Sequence, residues 1–145
     1  MQGLQNKSTV GGSNGVKSFE ELHIFHEARG LVSELWKATR SGAFARDLVL
    51  VNQIRRAALS VMSNIAEGFE RRSRPDFARF LVIAKGSCGE VRAQLLVALD
   101  QQYLTKEQHA TFRAQTKQIS AGLANLARYL RSPKQAQKPE IGTAL

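Results

Sequence analysis

The sequence predicts an all-α protein, an antiparallel up-down four-helix bundle with disordered termini. Apolar residues recur at spacings of three and four in four long segments, which is the pattern of helices with one buried face. Residues that start and stop helices flank each segment, and no period-two run or Asn-Gly hairpin turn indicates a strand. The 145 residues suit one domain, and short connections make consecutive helices antiparallel.

The domain is expected to occupy residues 18–132, between two flexible tails. Residues 1–17 are rich in Gly, Ser and Asn, and residues 133–145 contain two prolines among polar residues. Neither tail has enough apolar side chains to offset the entropy lost on ordering. The first tail lacks the apolar core of a signal peptide, and no apolar run approaches the roughly 18 residues that span a bilayer. The expected location is therefore the cytoplasm.

Four helices are predicted over residues 19–40, 47–69, 73–101 and 105–132. Each begins after or at a residue that commonly caps a helix N-terminus, namely Ser18, Asp47, Ser73 and Thr105. Glu21 and Gln108 complete capping boxes with the first and the last of these, and Pro75 suits the first turn of the third helix. Gly68 is expected to close the second helix. The fourth helix has the most regular heptad, with Phe112, Thr116, Ile119, Leu123, Leu126 and Leu130 in its seam.

The formal net charge of +9 is concentrated in two segments of the predicted bundle. Residues 41–74 carry six basic and three acidic side chains, and residues 105–132 carry five basic side chains and one acidic side chain. A positive surplus confined to part of a domain indicates a surface that faces a polyanion.

Five cations share one face of the fourth predicted helix. At about 100° per residue they fall within roughly 60° of one another, away from the apolar seam. These candidate nucleic-acid-binding residues are Lys106, Arg113, Lys117, Arg128 and Arg131. Like charges on one helix face repel each other, and counter-ion release from a phosphate backbone would offset that repulsion. The face predicts binding of RNA or DNA through phosphate contacts; a solvated basic face and a face for an acidic protein are the alternatives.

The second predicted helix carries a polar stripe opposite its apolar seam, rich in amide, hydroxyl and small groups. Its candidate interface residues are Gln53, Arg56, Ser60, Asn64, Glu67 and Arg71, with Ser63 beside them. Such groups suit hydrogen-bonded packing against another surface, within or between subunits. Apolar residues beyond the narrow seams are expected to meet this stripe on a neighbouring copy; they are Ile24, Leu31, Ala38, Ile83 and Leu96. Because two different patches in contact can close into a ring, a cyclic homo-oligomer is predicted.

The sequence has no recognisable constellation of catalytic or metal-binding residues. His23 and His26 lack acidic or Cys partners at ligand spacing. Cys88 lies on an apolar stripe and is interpreted as a small core residue. Residues 84–87 do not have the residue order of a phosphate-binding loop. The chain is therefore expected to be non-enzymatic, with no metal and no cofactor.

Two runs on the second predicted helix carry a family resemblance, Gln53-Ile54-Arg55-Arg56-Ala57-Ala58 and Asn64-Ile65-Ala66-Glu67-Gly68. Over about residues 18–131 the chain resembles the four-helix bundle proteins encoded in bacterial 23S rRNA intervening sequences. The resemblance implies an antiparallel bundle that assembles into a ring of five. It also implies kinship with the accessory variability proteins of diversity-generating retroelements, basic pentameric bundles that bind a reverse transcriptase and nucleic acid. No established reaction is implied.

Overall fold

The computed structural model describes residues 15–133, and in this range the chain forms helices and no strands. A one-turn 3-10 helix, Phe19–Glu21, comes first. Five α-helices follow: α1 His23–Ala38, α2 Gly42–Arg46, α3 Leu48–Glu70, α4 Arg74–Asp100 and α5 Lys106–Arg131. The predicted all-α class is confirmed. Residues 1–14 and 134–145, which contain most of the two predicted tails, lie outside the described residues.

The four long helices form a bundle in which α4 makes the most extensive contacts. α3 and α5 both pack along α4, α1 packs against α3, and a smaller contact between α1 and α5 closes the arrangement. The largest fully buried side chains come from all four long helices and include Leu31, Leu35, Ile54, Ile65, Leu81, Leu95, Ile119 and Leu123. Each such side chain contributes about 1.5–3 kcal/mol relative to exposure, so this shared core holds the helices together. Within residues 15–133 no helix is long and apolar enough to cross a membrane.

The predicted caps of the three longest helices are confirmed. The Asp47 carboxylate accepts a hydrogen bond from the Leu50 amide at 3.1 Å, and the Ser73 hydroxyl accepts one from the Asp76 amide at 3.4 Å. At α5, the Thr105 hydroxyl and the Gln108 side chain form the predicted reciprocal capping box. These bonds satisfy amide groups that the first turn of a helix leaves without a partner.

The start of the first helix differs from the prediction. The chain makes a 3-10 turn at residues 19–21, passes through Leu22 in an extended conformation, and only then enters α1. The Ser18 hydroxyl accepts from the Glu20 amide at 3.2 Å, whereas the predicted box with Glu21 is not formed. The extended Leu22 places a fully buried side chain in the core, and this tertiary contact outweighs continuation of the helix.

The apolar residues of α1 are part of the core and are not available for contact with another copy. Ile24 and Leu31 are buried, and Ala38 packs against the core. The expectation that Ile24 and Leu31 meet a neighbouring subunit is therefore wrong. α1 is covered on two sides, by α3 and α5, and a helix with two neighbours buries a wider stripe than a single seam.

α1 is joined to α3 by Arg55. Its Nε donates a hydrogen bond to the Thr39 hydroxyl at 2.9 Å, and its guanidinium lies 4.6 Å from the centre of the Trp36 ring.

The contact between α1 and α5 is tight at one end, where a Cβ on Gly122 would lie 2.9 Å from Ile24 Cδ1. Towards the other end a cavity of about 380 Å³ separates the same two helices.

The short helix α2 closes one end of the bundle and was not predicted. Its Phe44 is buried and stacks on Tyr103 with 5.2 Å between the ring centres. The Tyr103 hydroxyl donates to Asp47 Oδ2 at 3.0 Å, so one carboxylate both caps α3 and holds the loop before α5. This hydrogen bond raises the pKa of Tyr103. A five-residue helix is too short to show a helical period in the sequence.

Gly68 does not close the helix as predicted. α3 continues to Glu70, and the left-handed conformation after it belongs to Arg72, with φ 63°. Gly68 is instead buried where α3 meets α4, and a Cβ there would lie 2.6 Å from Phe80 Cβ and 3.0 Å from Phe77 Cδ2. Its lack of a side chain permits the close approach of the two helices.

We predict that Gly68→Ala lowers the free energy of unfolding. Overpacking costs about 1–3 kcal/mol, and the higher helix propensity of Ala returns at most about 1 kcal/mol. Gly30→Ala is the matched control, because its Cβ would meet Gln115 Nε2 at an ordinary 3.9 Å. Urea denaturation followed by circular dichroism should show a less stable Gly68 variant and an unchanged or more stable Gly30 variant. A Gly68 variant as stable as the parent would contradict the packing described here.

Candidate nucleic-acid interface

The five predicted cations of α5 are all exposed in the structure. We call Lys106, Arg113, Lys117, Arg128 and Arg131 the α5 cation stripe. The seam predicted for this helix is confirmed, since its six residues are all buried on the other side of α5. The sequence therefore assigned both faces of α5 correctly, and the bundle leaves the cations accessible to a ligand.

No acidic side chain pairs with the α5 cation stripe among the described residues. The ion pairs in residues 15–133 lie on α1, α3 and α4, and they are His23–Glu27, Glu34–Lys37, Glu67–Arg71 and Asp76–Arg79. Arg128 donates to the neutral side-chain oxygen of Asn125 at 3.1 Å. The stripe consequently keeps its positive charge, whereas α1, α3 and α4 each have at least one ion pair on their surface.

Arg74 fixes the end of α5 that carries Arg128 and Arg131. Its guanidinium donates to the backbone oxygens of Tyr129 and Leu130 at 3.2 and 3.3 Å, and it lies 5.3 Å from the centre of the Tyr129 ring. A cation is favourable at a helix C-terminus, where the last carbonyl groups have no partner within the helix. The first residue of α4 thus holds the last turn of α5 in place.

A second group of cations lies between α4 and α5 and was missed by the sequence analysis. A cavity of about 240 Å³ is lined by Arg92, Ala93, Leu95 and Leu96 of α4 and by His109 and Arg113 of α5. A helical wheel shows only which face of its own helix a residue lies on. It does not show that Arg92 of α4 and Arg113 of α5 are close to each other. The antiparallel pairing of the two helices was predicted, and applying it to the charged residues would have found this group.

The polar stripe of α3 divides into an inner and an outer part. Ser60 and Asn64 are half-buried: the hydroxyls of Ser60 and Ser87 are 2.8 Å apart, and Asn64 Nδ2 donates to the Ser60 carbonyl oxygen at 2.8 Å. Gln53, Arg56, Ser63, Glu67 and Arg71 are exposed. Of the two predicted possibilities, Ser60 lies in an interface within the subunit, between α3 and α4.

An ion pair lies at the end of the α3 polar stripe, with 3.2 Å between Arg71 and Glu67. The Arg71 guanidinium also lies 5.2 Å from the centre of the Phe80 ring, and that of Arg79 lies 4.8 Å from it. Phe80 therefore lies beneath two cations at the end of the bundle where α3 passes into α4.

The outer face of α4 is apolar, as predicted for Ile83 and Leu96. Four of its side chains, Val82, Ile83, Leu96 and Val97, are between 43% and 51% exposed. α4 also buries apolar residues against α3 and α5, so it is apolar around most of its circumference. These side chains form two pairs about 21 Å apart along α4, Val82–Ile83 and Leu96–Val97, and exposed apolar groups of this kind are candidates for contact with another molecule.

The nucleophile and ligand candidates are positioned as follows. Cys88 is fully buried, as its place on the apolar stripe predicted, and burial raises the pKa of its thiol to about 11. The thiol is thus protonated near neutral pH and is a weak nucleophile. His23 Nε2 lies 2.9 Å from the carboxylate of Glu27. In the part of the chain that the structure describes, no three His, Cys, Asp or Glu side chains are grouped to hold a metal ion.

Comparisons with known proteins agree with this fold. Residues 20–125 match the family model of the 23S rRNA-intervening sequence proteins. A crystal structure of a protein of unknown function from the S23 ribosomal protein family of Bacteroides thetaiotaomicron is similar, with a TM-score of 0.66 and 22% identity over 72% of this chain and 98% of that chain. No curated protein matches the chain. Since the family model covers most of the bundle, the chain belongs to the 23S rRNA-intervening sequence protein family.

Proposed function

We propose that this protein is a non-enzymatic, oligomeric bundle that binds RNA or DNA through phosphate contacts. It would act as an accessory to an rRNA insertion or to a reverse transcriptase. The observation that carries the proposal is the α5 cation stripe, five exposed cations on one helix without an acidic partner among residues 15–133. A phosphate backbone is the regular polyanion that such a row of charges suits.

The energetics of the stripe favour a bound polyanion. Arg113 and Lys117 are four residues apart and Arg128 and Arg131 are three apart, and like charges at these spacings each cost a few tenths of a kcal/mol. Binding phosphates replaces that repulsion with attraction and releases condensed counter-ions. The stripe covers about 38 Å at 1.5 Å per residue, which is about one turn of duplex DNA.

The same geometry argues against recognition of base sequence. The cations lie on the exposed side of one helix, and phosphate contacts position a nucleic acid without distinguishing its bases. We therefore expect similar affinities for unrelated sequences of the same length and strandedness.

An acidic protein is the second candidate partner of this face. It is favoured by Leu96, an exposed apolar residue that lines the same cavity as Arg113. An acidic amphipathic helix could place carboxylates on the stripe and apolar side chains on the outer face of α4. The two candidates differ in their response to nucleic acid, so one titration separates them.

We predict that labelled RNA and DNA bind the full chain with an affinity that falls steeply with salt. Replacing Arg113, Lys117, Arg128 and Arg131 by Gln should flatten the slope of log K against log salt by about three to four, because each duplex phosphate contact contributes about 0.9. Fluorescence anisotropy at several salt concentrations measures this slope.

The control for that experiment removes the same charge from other helices. Replacing Arg29, Lys37, Arg40 and Arg46 by Gln removes four exposed cations from α1, α2 and the loop between them. This variant should keep a slope close to that of the parent. Equal flattening in both variants would show that net charge, and not the α5 cation stripe, drives binding. No binding at about 0.15 M salt would instead favour the acidic-protein partner.

We further propose that the chain assembles into a cyclic homo-oligomer, with five copies as the family resemblance implies. The surfaces we assign to this contact are the exposed part of the α3 polar stripe and the apolar outer face of α4. The two surfaces adjoin where α3 meets α4, since the hydroxyls of Ser60 and Ser87 are 2.8 Å apart and Ile83 lies one helical turn before Ser87. Polar groups beside apolar ones give an interface both orientation and burial.

We predict a mass near 80 kDa by light scattering at micromolar concentration, for five copies of the 16.0 kDa chain. Glu67→Lys should shift the mass towards the monomer, because it places a long cation in a close-packed surface. Asn64→Lys should do the same but also breaks the hydrogen bonds to Ser60.

Glu34→Lys is the matched control for Glu67→Lys. Both glutamates are about half exposed, at 53% and 54% of the side chain, and both pair with a cation on their own helix. Only Glu67 lies on the proposed contact surface, so the Glu34 variant should keep the parent mass. A parent mass near 16 or 32 kDa would refute the ring.

A further inference from the structure

The cavity between α4 and α5 combines positive groups with an apolar wall. Arg92, His109 and Arg113 line it together with Ala93, Leu95 and Leu96, and none of its lining residues is acidic. Its volume of about 240 Å³ corresponds to about eight water molecules at about 30 Å³ each. This is enough space for one phosphate group and part of the sugar attached to it.

Arg92 has a donor without an acceptor. Its Nη1 is buried and makes no hydrogen bond within residues 15–133. Its Nη2 lies close to α4 itself, 4.0 Å from the position that a Cβ on Gly89 would occupy. A buried donor without a partner is unfavourable, and more so when it carries charge, so native proteins seldom retain one without a ligand or solvent to satisfy it.

No neighbour of Arg92 among the described residues accepts a hydrogen bond from its Nη1. The positive charges of Arg92 and Lys85 both act to lower the pKa of Cys88, yet burial outweighs them and keeps that thiol neutral. Arg113 is a cation, and His109 has one N–H donor and one acceptor nitrogen when neutral or two donors when protonated. The cavity is therefore lined by two arginines and a histidine, with no acidic side chain among its lining residues.

We propose that this cavity binds a phosphate group, with Arg92, His109 and Arg113 as hydrogen-bond donors and Ala93 in contact with the attached sugar or base. Two guanidinium groups match a phosphate better than a single carboxylate, because it offers more acceptor oxygens and carries up to two negative charges. The inference rests on the proposed function where the phosphate comes from a nucleic acid. Arg113 belongs to both the cavity and the α5 cation stripe, so a strand lying on the stripe would have one phosphate fixed at this point.

The phosphate could be an internal phosphodiester, a terminal phosphate or free inorganic phosphate, and the experiment separates these sources. The imidazole resonances of the full-length chain are followed by NMR, with His109→Gln used to assign the His109 signal among three histidines. The titrants are inorganic phosphate, a short RNA with a 5′-phosphate and the same RNA with a 5′-hydroxyl. Sodium chloride at equal ionic strength is the salt control.

We expect a saturable shift of the His109 signal with at least one phosphate titrant and not with chloride. A shift with both RNAs identifies an internal phosphodiester, and a shift restricted to the phosphorylated RNA identifies a terminal phosphate. Arg92→Gln should weaken this binding at least about tenfold, as expected for loss of a charge-assisted bond. Arg79→Gln, which changes an exposed arginine of the same helix, should leave it unchanged.

The failure of this inference can be distinguished from failure of the proposed function. RNA binding by anisotropy with no phosphate-dependent shift of His109, and no effect of Arg92→Gln, would overturn the phosphate site and leave the α5 cation stripe standing. A saturable shift with inorganic phosphate, in a protein that binds no RNA, would retain the site and refute nucleic-acid binding. A shift that chloride reproduces would also overturn the site. Circular dichroism checks that Arg92→Gln is folded.

Discussion

The burial of α4 between α3 and α5 is the constraint on which the rest of the structure depends. Seven of its side chains are fully buried: Ala78, Leu81, Ala84, Cys88, Val91, Leu95 and Ala98. On one side Gly68 of α3 lies against Phe77 and Phe80 of α4, because it has no side chain to keep them apart. This close contact fixes the position of α3 along α4. On the other side Arg74 holds the end of α5. Both candidate surfaces are consequently formed beside one helix, which fixes their relative positions.

The proposed contact with another copy and the proposed contact with nucleic acid lie on different sides of α4, but both adjoin that helix. The α3 polar stripe lies on one flank of α4 and meets it through Ser60 and Ser87, whereas the cavity with Arg92 and Arg113 lies on the other flank. The exposed apolar residues of α4 lie on the outer face of the same helix. In a ring formed through the α3 side, each copy would present its own α5 cation stripe. Several stripes in one assembly would raise the affinity for a long polyanion beyond that of one chain.

The sequence predicted features that depend on one helix at a time. The caps at Asp47, Ser73 and Thr105 are local interactions, and the heptad of α5 follows from the period of a single helix. The errors concern contacts between helices. Gly68 has the position of a helix terminator, but its role comes from two phenylalanines on α4. Ile24 and Leu31 were assigned to an outer surface because the sequence does not show how many neighbours α1 has. Arg92 was missed because its partners lie on α5.

The central claim is that a nucleic acid lies along α5, and acylation footprinting of lysines tests it without any mutation. Lys106 and Lys117 belong to the α5 cation stripe, whereas Lys37 is exposed on α1 and is an internal reference. The protein is acylated with and without saturating structured RNA, and the modified lysines are quantified by mass spectrometry. The account predicts that RNA protects Lys106 and Lys117 and leaves Lys37 reactive. Equal protection of all three lysines, or protection of Lys37 alone, would contradict it.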